Sequence, residues 1–122
     1  MTPRDQAFEI AHELGFERVL TSGQAASALS GVGCIAQLVE RAQRRISVMA
    51  GGSLRAHNIV DVVAATGVTE VHTSARTPGQ SAARYPLGAI RFRASELPAE
   101  NAFDTTDADQ VRAVLAALEA GR

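Results

Sequence analysis

The 122-residue sequence predicts an α/β fold in which helices alternate with the strands of a parallel sheet. Four segments repeat apolar residues at the i, i+3, i+4, i+7 spacing of a helix with one buried face. Three short apolar runs, 18–22, 46–50 and 70–74, each follow a helical segment closely and are typical of strands. A chain of this length is expected to form a single domain, 1–122, with a modest core.

The first helix is predicted near the amino-terminal end. Thr2 is a typical cap residue and Pro3 fits the first helical turn, so the helix is expected to begin there. Its apolar stripe comprises Ala7, Ile10, Ala11 and Leu14. Gly15 follows the stripe, as glycine often does at a helix end, and the first strand, 18–22, comes next.

Two further helix–strand pairs follow in the same order. The second stripe comprises Ile35, Leu38, Val39 and Ala42, and the strand 46–50 follows it. The third stripe comprises Ile59, Val62, Val63 and Thr66. Gly67 is expected to end that helix before the strand 70–74.

The last third of the chain has a weaker pattern. Residues 75–105 contain three prolines and no strong period, and are predicted as an irregular loop region in which 88–92 allows a short strand. Thr106, followed by Asp107 and Asp109, predicts a capped, acidic start for a fourth helix. The stripe of that helix comprises Val111, Val114, Leu115 and Leu118, with Gly121 at its end.

Composition and charge argue against several classes of partner. The net charge is −1, aromatic residues make up 4% of the chain and Trp is absent, so a nucleic-acid partner is not expected. No apolar run is long enough to span a membrane, and the opening residues contain no apolar signal core. A single cysteine, Cys34, excludes an internal disulfide framework. We therefore expect a cytoplasmic protein that does not act at a membrane.

The carboxyl ends of the strands are where parallel α/β folds bind ligands. Gly51 and Gly52 could adopt positive φ and bring backbone N–H groups close to an anion, just before a helix. The predicted anion-binding residues are Ser22, Gly23, Gly51, Gly52, Ser74 and Arg76. The alternative, that the glycines only make tight turns, stays open for Gly51 and Gly52 and is preferred for Gly23.

Histidine supplies the candidate metal ligand. Alternation along the third strand places Glu70, His72 and Ser74 on one side, and imidazole is a common metal ligand. His72 is therefore the candidate for a metal-binding or catalytic role. The alternative is a structural histidine whose hydrogen bonds are satisfied by neighbouring residues. An acid/base pair of Glu70 with His72 stays open, whereas His12 and His57 are expected at the surface.

Four motifs in register give the chain a family resemblance. RVLTSGQ, IAQLV, VMAGG with Arg55 and Asn58, and TGVTEVHTSAR together resemble the CutC family, named for copper homeostasis, from about residue 8 to residue 77. The resemblance implies a (β/α)8 TIM barrel whose sixth, seventh and eighth strands these motifs would form. We expect a C-terminal portion of that barrel, with about three strands and four helices and with the N-terminal strands absent.

The resemblance also implies a function in copper homeostasis, with copper as the bound ion. The soft ligands that Cu(I) prefers, Cys34, Met49 and Met1, are scattered along the sequence, so any metal ligands are expected in the missing half or between subunits. The alternative is an enzyme that acts on a small phosphorylated or carboxylated substrate. Ser22 and Ser74 lack the Gly-x-Ser-x-Gly pattern of acyl transfer.

A partial barrel predicts self-association. Three parallel strands leave two unpaired edges, and an inner face expected to carry Val19, Thr21, Ser47, Met49 and His72 would lack a cover. A homo-oligomer is therefore expected, with a copper ion or a small anion as ligand.

Overall fold

The computed structural model describes residues 1–80 and 102–121. Its helices are α1 (Pro3–Glu13), α2 (Val32–Ala42), α3 (Ile59–Thr66) and α4 (Ala108–Ala120). Its strands are β1 (Arg18–Thr21), β2 (Ser47–Gly51), β3 (Glu70–His72), β4 (Arg76–Gln80) and β5 (Ala102–Thr106). No helix within these two ranges combines the length and the hydrophobicity needed to cross a bilayer.

The first three strands form a parallel sheet in the order β1-β2-β3. Leu20 lies opposite Met49, and Met49 lies opposite Glu70, so β2 is the central strand. Because parallel neighbours need a crossover connection, α2 and α3 each carry the chain from one strand to the next. The predicted α/β fold with four helices and a parallel sheet is confirmed.

Local signals fix most helix ends. Thr2 and Asp5 form a capping box, in which the Asp5 N–H donates to the Thr2 hydroxyl at 3.1 Å and the Asp5 carboxylate accepts from the Thr2 N–H. Gly67, at φ +77°, ends α3 in the left-handed conformation that glycine adopts without strain. The start of α4 was predicted one residue early, because Thr106 ends β5 and the Asp107 carboxylate caps the helix instead.

The core lies between the sheet and its helices. Val48 and Ala50 point from β2 into a cluster of buried aliphatic side chains carried mainly by α2 and α3. The largest fully buried members of that cluster are Ile35, Leu54, Ile59 and Val62. Burial of each of these side chains contributes about 1.5–3 kcal/mol, so this layer supplies most of the stability of the fold.

The opposite face of the sheet has no covering layer among the described residues. Register places Arg18 and Leu20 beside Ser47 and Met49 on this open face, and Leu20 is 57% exposed. The prediction that put Val19 and Thr21 there was wrong. Both share the helix-covered face, because they lie opposite Val48 and Ala50 and successive strand residues point to opposite sides.

Two further strands occupy the ends of the predicted irregular region. β4 and β5 pair antiparallel, with Arg76 opposite Thr106 and Gln80 opposite Ala102. The prediction of loop for 75–105 missed them, since β4 contains a proline and a glycine, which strand propensities disfavour. The short strand predicted at 88–92 lies outside the described residues.

Candidate functional site

A cleft of about 490 Å³ opens at the carboxyl ends of β2 and β3. Its walls come from the loops that follow β1, β2 and β3, as expected for a ligand site of a parallel sheet. The lining residues are Ser27, Leu29, Gly52, Ser53, Leu54, Arg55, His57, Asn58, His72, Thr73, Ser74 and Arg76.

The cleft walls carry basic and neutral polar groups. Arg55 and Arg76 supply guanidinium groups, His57 and His72 supply imidazoles, and no acidic residue from 1–80 or 102–121 lines the cleft. In the described part of the chain, no hydrogen bond involves the side chains of His57, His72 or Ser74, so these groups can meet a ligand. The arrangement suits an anion, because guanidinium groups and hydroxyls donate hydrogen bonds to phosphate or carboxylate oxygens.

Other concavities of similar size have different chemistry. One, between α1 and α2, is lined by charges of both signs, several of which pair with each other, such as Arg45 with Glu9 at 3.1 Å. Another lies at the opposite end of the sheet, around Ile46 and Val68. Among the described lining residues, that concavity carries one basic side chain, Arg44, beside Ser47 and Thr69, whereas the cleft at the carboxyl edge carries two arginines and two histidines.

Residues 53–58 form the wall between β2 and α3. Ser53 has φ +56°, a left-handed conformation, and the segment is tied down by side chains and not by a helix or strand ladder. The Thr73 hydroxyl donates to the Leu54 carbonyl at 2.7 Å, and Leu54 is buried. Arg55 donates from Nη1 to the Arg76 carbonyl at 2.6 Å, which joins the loop after β2 to the loop after β3.

The structure explains the adjacent glycines differently from the prediction. Gly52 lines the cleft, but its φ of +117° and its close neighbours serve loop packing: its carbonyl accepts from the Ala28 N–H at 3.0 Å. Gly51 ends β2, where a Cβ would lie 2.6 Å from Leu20 Cδ1. α3 begins only at Ile59, so the expectation that the pair stands directly before a helix was wrong.

Ser22 and Gly23 do not reach the cleft walls. The Ser22 hydroxyl donates to the Ala25 carbonyl at 2.8 Å, and the Gly23 N–H donates to Thr21 Oγ1 at 2.9 Å. Gly23 also packs directly against the backbone of Gly31, leaving no room for a side chain on either residue. Both residues form hydrogen bonds within the loop after β1. This agrees with the preferred alternative that Gly23 only makes a tight turn.

Ser74, Arg76, His72 and Gly52 are the predicted residues that line the cleft. Sequence reasoning missed Arg55. His57 is exposed, as predicted, and lies in the same wall as Arg55. The spacing of Arg55 and Asn58 in the third motif was the available signal, because an Asn three residues on can accept a hydrogen bond from the backbone.

Glu70 lies outside the cleft walls. Its carboxylate accepts from the Ser47 hydroxyl and from Arg18 Nε, the latter at 3.0 Å. The Ser47 hydrogen bond, with the guanidinium beside it, holds the pKa of Glu70 below its ordinary value. The open acid/base pairing of Glu70 with His72 is therefore not assembled in the cleft, since Glu70 is engaged on the open sheet face.

The described residues do not gather a metal site. Within 1–80 and 102–121, no three side chains of the His, Cys, Asp or Glu type come together around one point. Cys34 lies on α2, where its sulfur accepts from Arg4 Nη1 at 3.2 Å, and Met49 lies on the open sheet face. The donor set that Cu(I) prefers is thus dispersed, and His72 has only His57 as a second imidazole in the cleft.

Comparison with known proteins supports the family resemblance. The CutC family model matches residues 1–77. A CutC family protein of Caulobacter vibrioides is 49% identical over 112 residues, which cover 91% of this chain and 44% of that protein. The human protein named copper homeostasis protein cutC homolog is 37% identical over 117 residues, covering 88% of this chain and 43% of the relative.

A solved structure is also similar. The putative copper homeostasis protein CutC from Streptococcus agalactiae shares 30% sequence identity with a TM-score of 0.49, over 57% of this chain and 34% of that one. The chain spans less than half the length of the curated relatives it matches. Because the family model matches well over half of its residues, the chain belongs to the CutC family.

Proposed function

We propose that the cleft binds a small anionic molecule, through a phosphate or carboxylate group, as the ligand site of a CutC-type (β/α)8 barrel. The observation that carries this proposal is the wall composition: two arginines, two histidines and the Ser74 hydroxyl, with no acidic side chain from the described part of the chain in the wall. An enzyme that acts on a phosphorylated or carboxylated substrate would need such a site.

Arg55 is the central ligand-binding group in this proposal. Its Nη1 is held by the Arg76 carbonyl, and no other hydrogen bond within the described residues engages the rest of the guanidinium. The remaining N–H groups are therefore fixed in direction and open to an anion. A hydrogen bond to a charged group contributes about 1.5–3 kcal/mol, which makes loss of this side chain measurable.

The test is titration with inorganic phosphate at fixed ionic strength. We expect Arg55→Ala to weaken phosphate binding about tenfold or more, since each 1.4 kcal/mol changes a dissociation constant tenfold. Arg112→Ala is the matched control, because it removes the same charge from an exposed side chain of α4 that lies outside the cleft. Equal losses in the two variants, or no saturable binding by the unaltered chain, would rule out the proposal.

A role in copper homeostasis is the second candidate function. It is supported by the names of the mouse and human relatives and by the presence of two imidazoles, His57 and His72, in one cleft. Two imidazoles do not complete a metal site, so further ligands would come from residues outside the described ranges or from another polypeptide. Copper would then be a cargo, handled in the cytoplasm.

Copper binding can be tested separately from anion binding. Titration with Cu(I) against a chelator of known affinity should show weaker binding in His72→Ala than in His12→Ala, because His12 lies on α1, away from the cleft. Equal Cu(I) affinity in the two variants would remove His72 as a ligand while leaving the anion proposal intact.

A further inference from the structure

We propose that Asn58 is a positioning residue for the cleft, holding Arg55 and His57 in the orientation that receives the anion. The inference rests on the proposed function and names a residue that acts through others. Asn58 lies just before α3, at the end of the wall formed by residues 53–58. Its role follows from two hydrogen bonds that one side-chain amide makes to the backbone of that wall.

The side-chain amide of Asn58 forms hydrogen bonds with two backbone groups of residues 53–58. Its Oδ1 accepts from the Arg55 N–H at 2.8 Å, and its Nδ2 donates to the Ser53 carbonyl at 3.1 Å. A side-chain amide is suited to this task because it presents an acceptor and donors on one planar group. The segment that carries Arg55 and His57 is thereby folded back on Asn58.

Backbone hydrogen bonds hold only the end of the segment, where the Arg55 carbonyl accepts from the Asn58 N–H at 3.1 Å and the Ile59 N–H at 2.9 Å. Gly52 and Ser53 have φ of +117° and +56°, and α3 begins only at Ile59. The Asn58 amide fixes the backbone of Arg55, while the Arg76 carbonyl fixes its guanidinium. The backbone N–H and the guanidinium of Arg55 are thus both hydrogen-bonded in the absence of a ligand.

Holding the guanidinium in advance strengthens binding. An anion that meets a mobile arginine must order the side chain and its loop at the moment of binding, and that ordering weakens affinity. A side chain already locked by its surroundings avoids the cost. Loss of the Asn58 clamp should therefore lower anion affinity although Asn58 need not touch the anion.

The first measurement compares Asn58→Ala with Thr66→Val. Thr66 is a buried residue at the end of α3 whose hydroxyl donates to the Val62 carbonyl at 2.7 Å, so its loss destabilises the fold without touching the cleft. We expect Asn58→Ala to weaken inorganic phosphate binding about tenfold, and Thr66→Val to change it less than about twofold. Equal weakening in both would reduce Asn58 to a general stabilising residue and overturn the inference.

Amide hydrogen exchange gives an independent readout of the clamp. The Arg55 N–H should exchange at least about tenfold faster in Asn58→Ala, whereas amides within α2 should keep their protection. Asn58→Asp retains an oxygen acceptor for the Arg55 N–H, so it should preserve that protection and serves if Asn58→Ala folds poorly. Unchanged Arg55 exchange in Asn58→Ala, or its loss in Asn58→Asp, would overturn the clamp.

These results separate the two proposals. Absence of phosphate binding by the unaltered chain overturns the proposed function, and with it the positioning role in binding. Fast Arg55 exchange in Asn58→Ala with unchanged phosphate affinity overturns the positioning role alone. Fast exchange together with weaker binding supports both.

Discussion

Gly52 shows how one residue at the end of β2 can constrain two loops. Its φ of +117° is a conformation that L-residues rarely adopt, and a Cβ there would lie 3.1 Å from Ser22 Cβ and 3.2 Å from the Ala28 nitrogen. The bare backbone at this point therefore lies against another loop of the same chain.

We expect Gly52→Ala to lower the free energy of unfolding by about 1–3 kcal/mol, because the substitution adds backbone strain to a tight contact. Gly33→Ala is the matched control: Gly33 lies within α2 with open space around it, so alanine should be neutral or stabilise by up to about 1 kcal/mol. Urea unfolding of the two variants measures the difference. Equal stabilities would show that the loop after β1 yields to the added methyl group.

The location of several residues in the fold follows from the sequence, because strand ends are a local feature. Gly52, His72, Ser74 and Arg76 line the cleft as residues at strand ends should. Arg55 was missed because its guanidinium is fixed by the Arg76 carbonyl, which is distant in sequence, and because its spacing to Asn58 was the local signal left unused.

Helix α1 is joined to the chain around α2 by ion pairs at its outer surface. Arg45 binds Glu9 through two hydrogen bonds of 3.1 Å, one to each carboxylate oxygen. This contact is the main reason that the pKa of Glu9 lies below its ordinary value. A lowered pKa in the folded state means that the contribution to stability is present above the ordinary titration range and is lost as pH falls.

We expect Glu9→Gln to flatten the acid side of the stability profile. The unaltered chain should lose stability as pH falls below about 4, where carboxylates of ordinary pKa take up protons, and the variant should lose less over the same interval. Thermal melts between neutral and acidic pH measure the effect. Glu13→Gln, also on α1 but without a recorded ion pair among the described contacts, is the control. Identical pH profiles for Glu9→Gln and the unaltered chain would contradict the prediction.

Helices were predictable from the sequence wherever a capping residue marks one end or the apolar stripe extends over several turns. Thr2 and Gly67 mark helix ends correctly, because capping is a local interaction of side chain or backbone. The β4–β5 pair was not predictable in this way, since its hydrogen bonds join residues far apart in sequence. The face of β1 was misassigned because its register with β2 is a tertiary property.

At the scale of the whole molecule, the open sheet face is the dominant feature. Parallel sheets are normally covered on both faces, yet Leu20 and Met49 lie on a face that no described helix covers. Apolar area left in water costs about 25 cal/mol per Å². Within 1–80 and 102–121 no strand pairs with the outer edge of β1, and such an edge favours pairing with another strand.

We expect the 122-residue chain, expressed alone, to self-associate through this face. Sedimentation should show a species larger than a monomer, and Leu20→Lys should shift the population toward monomer. Leu14→Lys is the control, because Leu14 is 71% exposed but follows α1, away from the sheet. A monodisperse monomer with a sharp thermal transition, or equal effects of the two lysines, would contradict self-association through the sheet face.

The β4–β5 pair gives the chain a natural site for engineering. Gln80 and Ala102 face each other in register, so the ends of the two described ranges lie at neighbouring points. Paired antiparallel residues stand about 4.5–5.5 Å apart, a gap that a two-residue Asn-Gly turn can bridge. Joining Gln80 to Ala102 by such a turn, by a reporter peptide or by an affinity tag is therefore compatible with the register of β4 and β5.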